Sequence, residues 1–151
     1  MDGPHYNFTA SDDATVFWFE SIGEGNVVEK QIKISPTSFP NFYTLALVDV
    51  MADGSLSDTN RPRQGDVEKV LATVLQTVLV FTEKNPDSTV FFTGSTPART
   101  RLYQMAIVRE LEAAKSMFDI QGLIGGLFYD FQSGTPYEGF AITRKSNTFK
   151  S

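Results

Sequence analysis

The chain has no cysteine, one histidine and one tryptophan in 151 residues. Without a thiol, disulfide staples and thiolate chemistry are excluded. With His5 as the one imidazole, a closed zinc site and a histidine-based triad lack their parts, so no metal site is expected. Basic excess is missing too: 13 Lys and Arg stand against 18 Asp and Glu, a net charge of −5. Nucleic-acid binders draw much of their affinity from neutralising phosphates, so this balance argues against such a partner. No apolar run approaches the roughly 20 residues that span a bilayer. Residues 1–13 are acidic and lack the apolar core of a signal peptide. These absences point to a cytoplasmic chain without a membrane partner. The phosphate-binding pattern GxxxxGK[ST] does not occur either.

What is present is aromatic and apolar. The chain holds 13 Phe and 5 Tyr, and 41% of its residues are hydrophobic. The Phe residues sit among Val and Leu, which suits buried strands better than a stacking platform. A chain of about 150 residues buries roughly 70% of its unfolded surface, enough for one domain over 1–151. Residues 1–13 and 145–151 are expected to fray.

Residues 15–20 (TVFWFE) read as a strand with Trp18 in the core, and 22–26 as a turn. Gly23 and Gly25 form half of a dinucleotide fingerprint, but no third glycine and no helix follow, so the turn reading stands. Residues 27–35 alternate, with Val28, Lys30, Ile32 and Ile34 on one face. Residues 42–50 (FYTLALVDV) are apolar on both faces, as expected of a central strand covered on both sides. Residues 51–65 form a long polar loop. A helix follows, with Val67, Val70, Leu71, Val74, Leu75, Val78 and Leu79 on one stripe, and Asn85-Pro86 stops it. A short strand at 88–93 leads into a second helix from Pro97 to about Lys115. Strands at 118–123, 127–131 and 138–144 close the chain. The order β-β-β-α-β-α-β-β-(β) predicts an α/β (α+β) fold: a mixed, mostly antiparallel sheet with helices packed on it.

The stretch 88–107 carries the most chemistry. An apolar strand runs into Thr93-Gly94-Ser95-Thr96, and a helix then opens on Pro97 with Arg99 and Arg101 in its first turns. Free amides, a positive dipole end and two guanidinium groups suit an anionic ligand. Gly94, Ser95, Thr96, Arg99 and Arg101 are the candidate ligand residues. Ser95 or Thr96 also serves as the helix cap. Arg99 and Tyr103 share a helix face, so Arg99 rather than Arg101 should accompany Tyr103 into a cleft. The plainer alternatives are a core tyrosine and ion-paired surface arginines.

The element order, and the wording Thr96-Pro97-Ala98-Arg99-Thr100-Arg101-Leu102-Tyr103, resemble the GNAT family of acyl-coenzyme-A-dependent N-acyltransferases. The resemblance implies that strand 42–50 splays from strand 88–93 and offers its backbone to a pantetheine arm. It also implies that Arg61, Arg63, Gln64 and Gly65 cradle a diphosphate, and that Tyr103 is the general acid for the leaving thiolate. Acetyl-CoA or another acyl-CoA is the implied cofactor. The chain departs from that family's loop: Asp66 stands where phosphates approach and Val67 replaces a small residue. The whole chain is also similar to uncharacterised proteins of Bacteroidetes-type bacteria, a domain of unknown function with GDxxKVLATV and TGSTxARTRLY wording. That likeness implies no activity. Two functions are therefore expected as alternatives: acyl-CoA-dependent N-acyl transfer through a degenerate cofactor loop, or a non-enzymatic module binding a protein or anion at the helix start of residues 94–101.

Overall fold

Strict alternation along the first strands decides which side chains meet the helices. In the computed structural model, which describes residues 5–23, 26–51, 53, 56–57, 66–110 and 117–145, Phe17, Phe19 and Ser21 of β2 (Val16–Gly23) are buried. So are Lys30, Ile32 and Ile34 of β3 (Asn26–Pro36). Trp18, expected in the core, lies on the opposite face. Period-two alternation forces this once Phe17 and Phe19 point inward, and its indole N–H donates to Gln31 Oε1 at 3.2 Å.

Among the described residues the sheet has nine strands. Its path runs from β1 (Thr9–Ala10) through β2, β3, β4 (Phe42–Val50), β6 (Thr89–Phe92), β9 (Gly139–Arg144) and β7 (Phe118–Ile124) to β8 (Leu127–Asp130), with β5 (Leu56–Ser57) attached to β4. All pairings are antiparallel except β4 with β6. Two helices, α1 (Val67–Lys84) and α2 (Pro97–Glu110), connect β5 to β6 and β6 to β7. The expected mixed α+β architecture is present, with the short strands β1 and β5 in addition.

The core lies between the sheet and the helices. Val70, Leu71, Val74, Leu75, Val78 and Phe81 of α1 bury against strand residues such as Phe17, Ile32, Val90 and Ile142. Each fully buried aliphatic or aromatic side chain of this kind contributes about 1.5–3 kcal/mol. The other face of β4 departs from expectation. Thr44 and Ala46 are exposed, and Phe42, Val48 and Val50 are half-buried, so the apolar reading of both faces overstated the burial of one.

Residues 1–4 lie outside the described residues, and from Tyr6 onward the N-terminal segment is anchored to the fold. Tyr6 is buried, stacks on Phe19 at 5.7 Å, and its amide donates to Thr73 Oγ1 at 2.8 Å. β1 then pairs with β2 through Thr9↔Trp18 and Ala10↔Phe17. At the other end, Gly125 and Gly126 turn the β7–β8 hairpin with positive φ values of 59° and 85°, a conformation that costs glycine little.

The centre of the sheet has an opening. β6 matches β4 only through Phe42↔Thr89, Tyr43↔Val90 and Thr44↔Phe91. β3 occupies one edge of β4 along 43–50, so β5, which pairs with Asp49 and Val50, must lie on the β6 side. Between these two partners, the β6-side edge of β4 over residues 45–48 has no strand beside it among the described residues. The alternation of main-chain groups can be fixed. The Asn41 carbonyl accepts from the Thr89 amide at 2.8 Å, whereas the Phe42 carbonyl accepts from Thr37 on the β3 side at 3.1 Å. Odd-numbered residues of β4 therefore turn their N–H and C=O toward β6. Leu47 is the odd residue lying wholly within the unpaired stretch.

Candidate functional site

α2 starts on an ordered turn. The Thr96 hydroxyl accepts from the Arg99 amide at 3.2 Å, and the Thr96 carbonyl accepts from the Thr100 amide at 3.0 Å, which makes Thr96 the cap. Pro97 follows at the first helical position, where its missing N–H costs nothing. Gly94 donates from its amide to Thr100 Oγ1 at 3.0 Å. A Cβ at Gly94 would come within 2.4 Å of the Thr100 nitrogen, so close backbone approach explains this glycine. Thr93 Oγ1 meets Thr100 Oγ1 at 3.3 Å and donates to the Glu138 carbonyl at 2.7 Å, stitching the turn to the approach of β9.

A cleft of about 370 Å³ opens at this helix start. Gly94, Ser95, Thr96, Arg101 and Gln104 line it from α2 and its turn, and Pro136, Tyr137 and Glu138 line it from the other side. Gln104 is itself fixed by donating to the Thr135 carbonyl at 2.6 Å. Four of the five residues expected around an anion thus share one cleft. Arg99 does not line it: its guanidinium donates to Ser95 Oγ at 2.7 Å. The arginine that enters is Arg101, not Arg99 as the shared helix face implied. Long side chains on a helix lean toward its N-terminus, which brings Arg99 back onto Ser95.

Tyr103 is apart from this cleft. It is buried, packs on Phe92 with ring centroids 5.0 Å apart, and makes no hydrogen bond among the described residues. Burial holds its phenol well above the usual tyrosine range. The group stays protonated at neutral pH and does not act as a base. Arg61, Arg63, Gln64 and Gly65 lie outside the described residues.

The start of α1 has a different chemistry. Asp66 occupies its cap position but makes no side-chain bond to its own helix. Instead its Oδ2 accepts from the Tyr6 hydroxyl at 2.5 Å and from Ser21 Oγ at 2.6 Å. Tyr6 also receives the Ile22 amide at 3.0 Å, and Lys69 Nζ sits 4.4 Å from its ring centroid. Burial, and then the Asp66 carboxylate, raise the Tyr6 phenol above its ordinary value. At the same end of the sheet, the paired residues Lys30 and Asp49 form a buried ion pair at 2.5 Å, each side chain 5% exposed.

Sequence reasoning did not select Tyr6, Ser21, Asp49, Gln104 or Glu138. A signal existed for the ion pair, because Lys30 falls on the apolar face of an alternating strand and needs a buried partner. Gln104 shares α2 with Arg101, three residues on, whereas no local signal marks Glu138, which reaches the cleft from a segment more than 30 residues away. Among the described residues, no group of three or more His, Cys, Asp or Glu side chains could hold a metal ion, and no helix is long and apolar enough to cross a membrane.

A family of unknown function, DUF6934, matches residues 2–145. No curated protein and no solved structure matches the chain.

Proposed function

We propose that this chain, which belongs to DUF6934, binds an acyl-coenzyme-A-type ligand with the amide arm laid along the open edge of β4. One observation carries the reading: two parallel central strands pair for three residues, and among the described residues the β4 edge over 45–48 then has no strand beside it. An extended ligand bearing amides can replace the missing strand with main-chain hydrogen bonds. The sheet order supports it, because ligands of open α/β sheets favour the carboxyl ends of parallel strands.

The finer assignments complete the proposal. Arg61, Arg63, Gln64 and Gly65 precede α1 and would meet the diphosphate. Tyr103 is the general acid that the resemblance implies for the departing thiolate, but it is sealed in the core and burial makes its phenol a weaker acid, so that role requires the ring to become exposed. Asp66 limits this arrangement. Its carboxylate at the start of α1 repels phosphate unless the Arg61 and Arg63 guanidinium groups outweigh it.

Thermal melting with acetyl-CoA tests the reading. A ligand at about a hundred times its Kd stabilises the native state by roughly 2.7 kcal/mol, so melting should rise with acetyl-CoA and rise less for Arg63→Ala. No rise at millimolar acetyl-CoA contradicts it.

The cleft at α2 favours a second reading, a module that holds an anionic ligand or partner without turnover. Arg101, Gly94 and Thr96 around one cleft of about 370 Å³ are its support. Binding of a phosphorylated probe that Arg101→Ala abolishes, with no acetyl-CoA effect, favours it over transfer.

A further inference from the structure

We propose that a cleft at the edge of β2 takes a basic residue, lysine or arginine, whose amide pairs with the Glu20 main chain and whose cation is held by the Glu20 and Glu29 carboxylates beside Trp18. The cleft measures about 620 Å³, and Phe8, Thr9, Trp18, Glu20 and Glu29 are among its walls. β3 separates β2 from β4, so this site is distinct from the open edge of β4 and does not rest on the coenzyme reading.

The edge of β2 is open at one residue. The Ile34 amide donates to the Thr15 carbonyl at 2.8 Å, so from Thr15 onward odd-numbered residues turn their main-chain groups toward β3 and even-numbered ones turn outward. Three of the four outward residues of β2 are taken. Val16 accepts from the Ser11 amide at 2.8 Å and donates to Ser11 Oγ at 3.0 Å. Trp18 pairs with Thr9. The Ile22 amide donates to the Tyr6 hydroxyl at 3.0 Å, and that hydroxyl lies 3.3 Å from the Ile22 carbonyl. Continuing the register of β1 would set Asn7 against Glu20. The strand begins only at Thr9, however, because the chain before it turns inward and plants the Tyr6 amide on Thr73. Among the described residues the Glu20 N–H and C=O therefore have no main-chain partner, and Glu20 borders the cleft instead.

The charges select the occupant. Glu20 stands directly opposite Glu29 across the β2–β3 ladder. By the same parity this is a non-hydrogen-bonded pair, the kind whose side chains come closest, and like charges so placed are destabilising. Both residues are exposed. Their neighbours on that face of the sheet, Trp18, Ile22, Val27, Gln31 and Val50, carry no charge. A cation from outside the chain relieves the repulsion. Trp18 adds an aromatic wall: Gln31 holds its indole N–H at 3.2 Å, and indole is the best cation–π partner among side chains. The open main chain and the paired carboxylates fit a single ligand residue. A residue paired with Glu20 puts its own side chain on the face that Glu20 and Glu29 share, so that side chain is the one that must be basic.

NMR titration of the isotope-labelled full chain with Nα-acetyl-lysine methylamide tests it. At the efficiency usual for small ligands the probe should bind in the millimolar range, moving the Glu20 amide and Trp18 indole resonances together. Nα-acetyl-norleucine methylamide keeps both amides and loses the charge, and should bind at least about ten-fold more weakly. Glu29→Gln should weaken the lysine probe by a similar factor while melting no lower than wild type, since it removes a like-charge contact. A lysine probe that leaves both resonances unmoved overturns the proposal. So does a norleucine probe that binds as tightly, or a Glu29→Gln chain that binds the lysine probe like wild type.

Discussion

α2 follows β6 directly and α1 follows β4 by way of the short β5, yet Asp66 stands at the first helix start and Thr96 at the second. At α1 the carboxylate is engaged by Tyr6 and Ser21 from the far edge of the sheet. At α2 the hydroxyl caps its own helix, and Arg101 lines an open cleft beside it. The first start is negatively charged and occupied by the protein; the second is positively polarised and accessible. Helix dipoles alone would make the two equivalent. The difference comes from side chains and from which backbone groups are already used, so stability should depend on the first region and ligand capture on the second.

The largest expected effect breaks the occupied region. Lys30→Ala leaves Asp49 buried without its cation and should cost about 3–5 kcal/mol in denaturant unfolding, whereas Lys30→Met with Asp49→Leu should recover most of it. Asp66→Ala removes the acceptor of two hydroxyls and should cost about 1–3 kcal/mol. At α2, Thr96→Ala loses a helix cap and should cost about 1 kcal/mol. Alkaline pH separates the regions by mechanism. The Tyr6 and Tyr103 phenols are both raised in the folded state. Their contribution is therefore complete below the ordinary tyrosine value of about 10 and is lost as pH climbs through the higher folded values. Tyr103→Phe should move the alkaline unfolding midpoint upward. The smallest effect is Arg101→Ala, within about 0.5 kcal/mol of wild-type stability. If that variant instead unfolds the chain, the cleft at α2 is structural.

The architecture was legible because it rests on local periodicity. The stripe along 67–79 and the alternation along 27–35 each specify one element and one inward face. Gly94, Ser95, Thr96 and Arg101 were legible as a group because the capping turn holds them together in sequence. The choice between Arg99 and Arg101 was not, since it turned on how Arg99 leans back to Ser95. Nor was the anchoring of Tyr6, whose partners Ser21, Asp66 and Thr73 are distant in sequence and gathered by the sheet. Trp18 was misplaced because an apolar run of Val, Phe, Trp and Phe hides the alternation that two buried phenylalanines impose.

The unmatched edge of β4 is the claim on which the functional reading depends. Hydrogen–deuterium exchange resolved to single amides, with and without acetyl-CoA, tests it most directly. In the free chain the Leu47 amide should exchange much faster than those of Ile32 and Val90 in the paired strands, and acetyl-CoA should slow it. A Leu47 amide that is already as protected as its neighbours, or that acetyl-CoA leaves unchanged, contradicts the account.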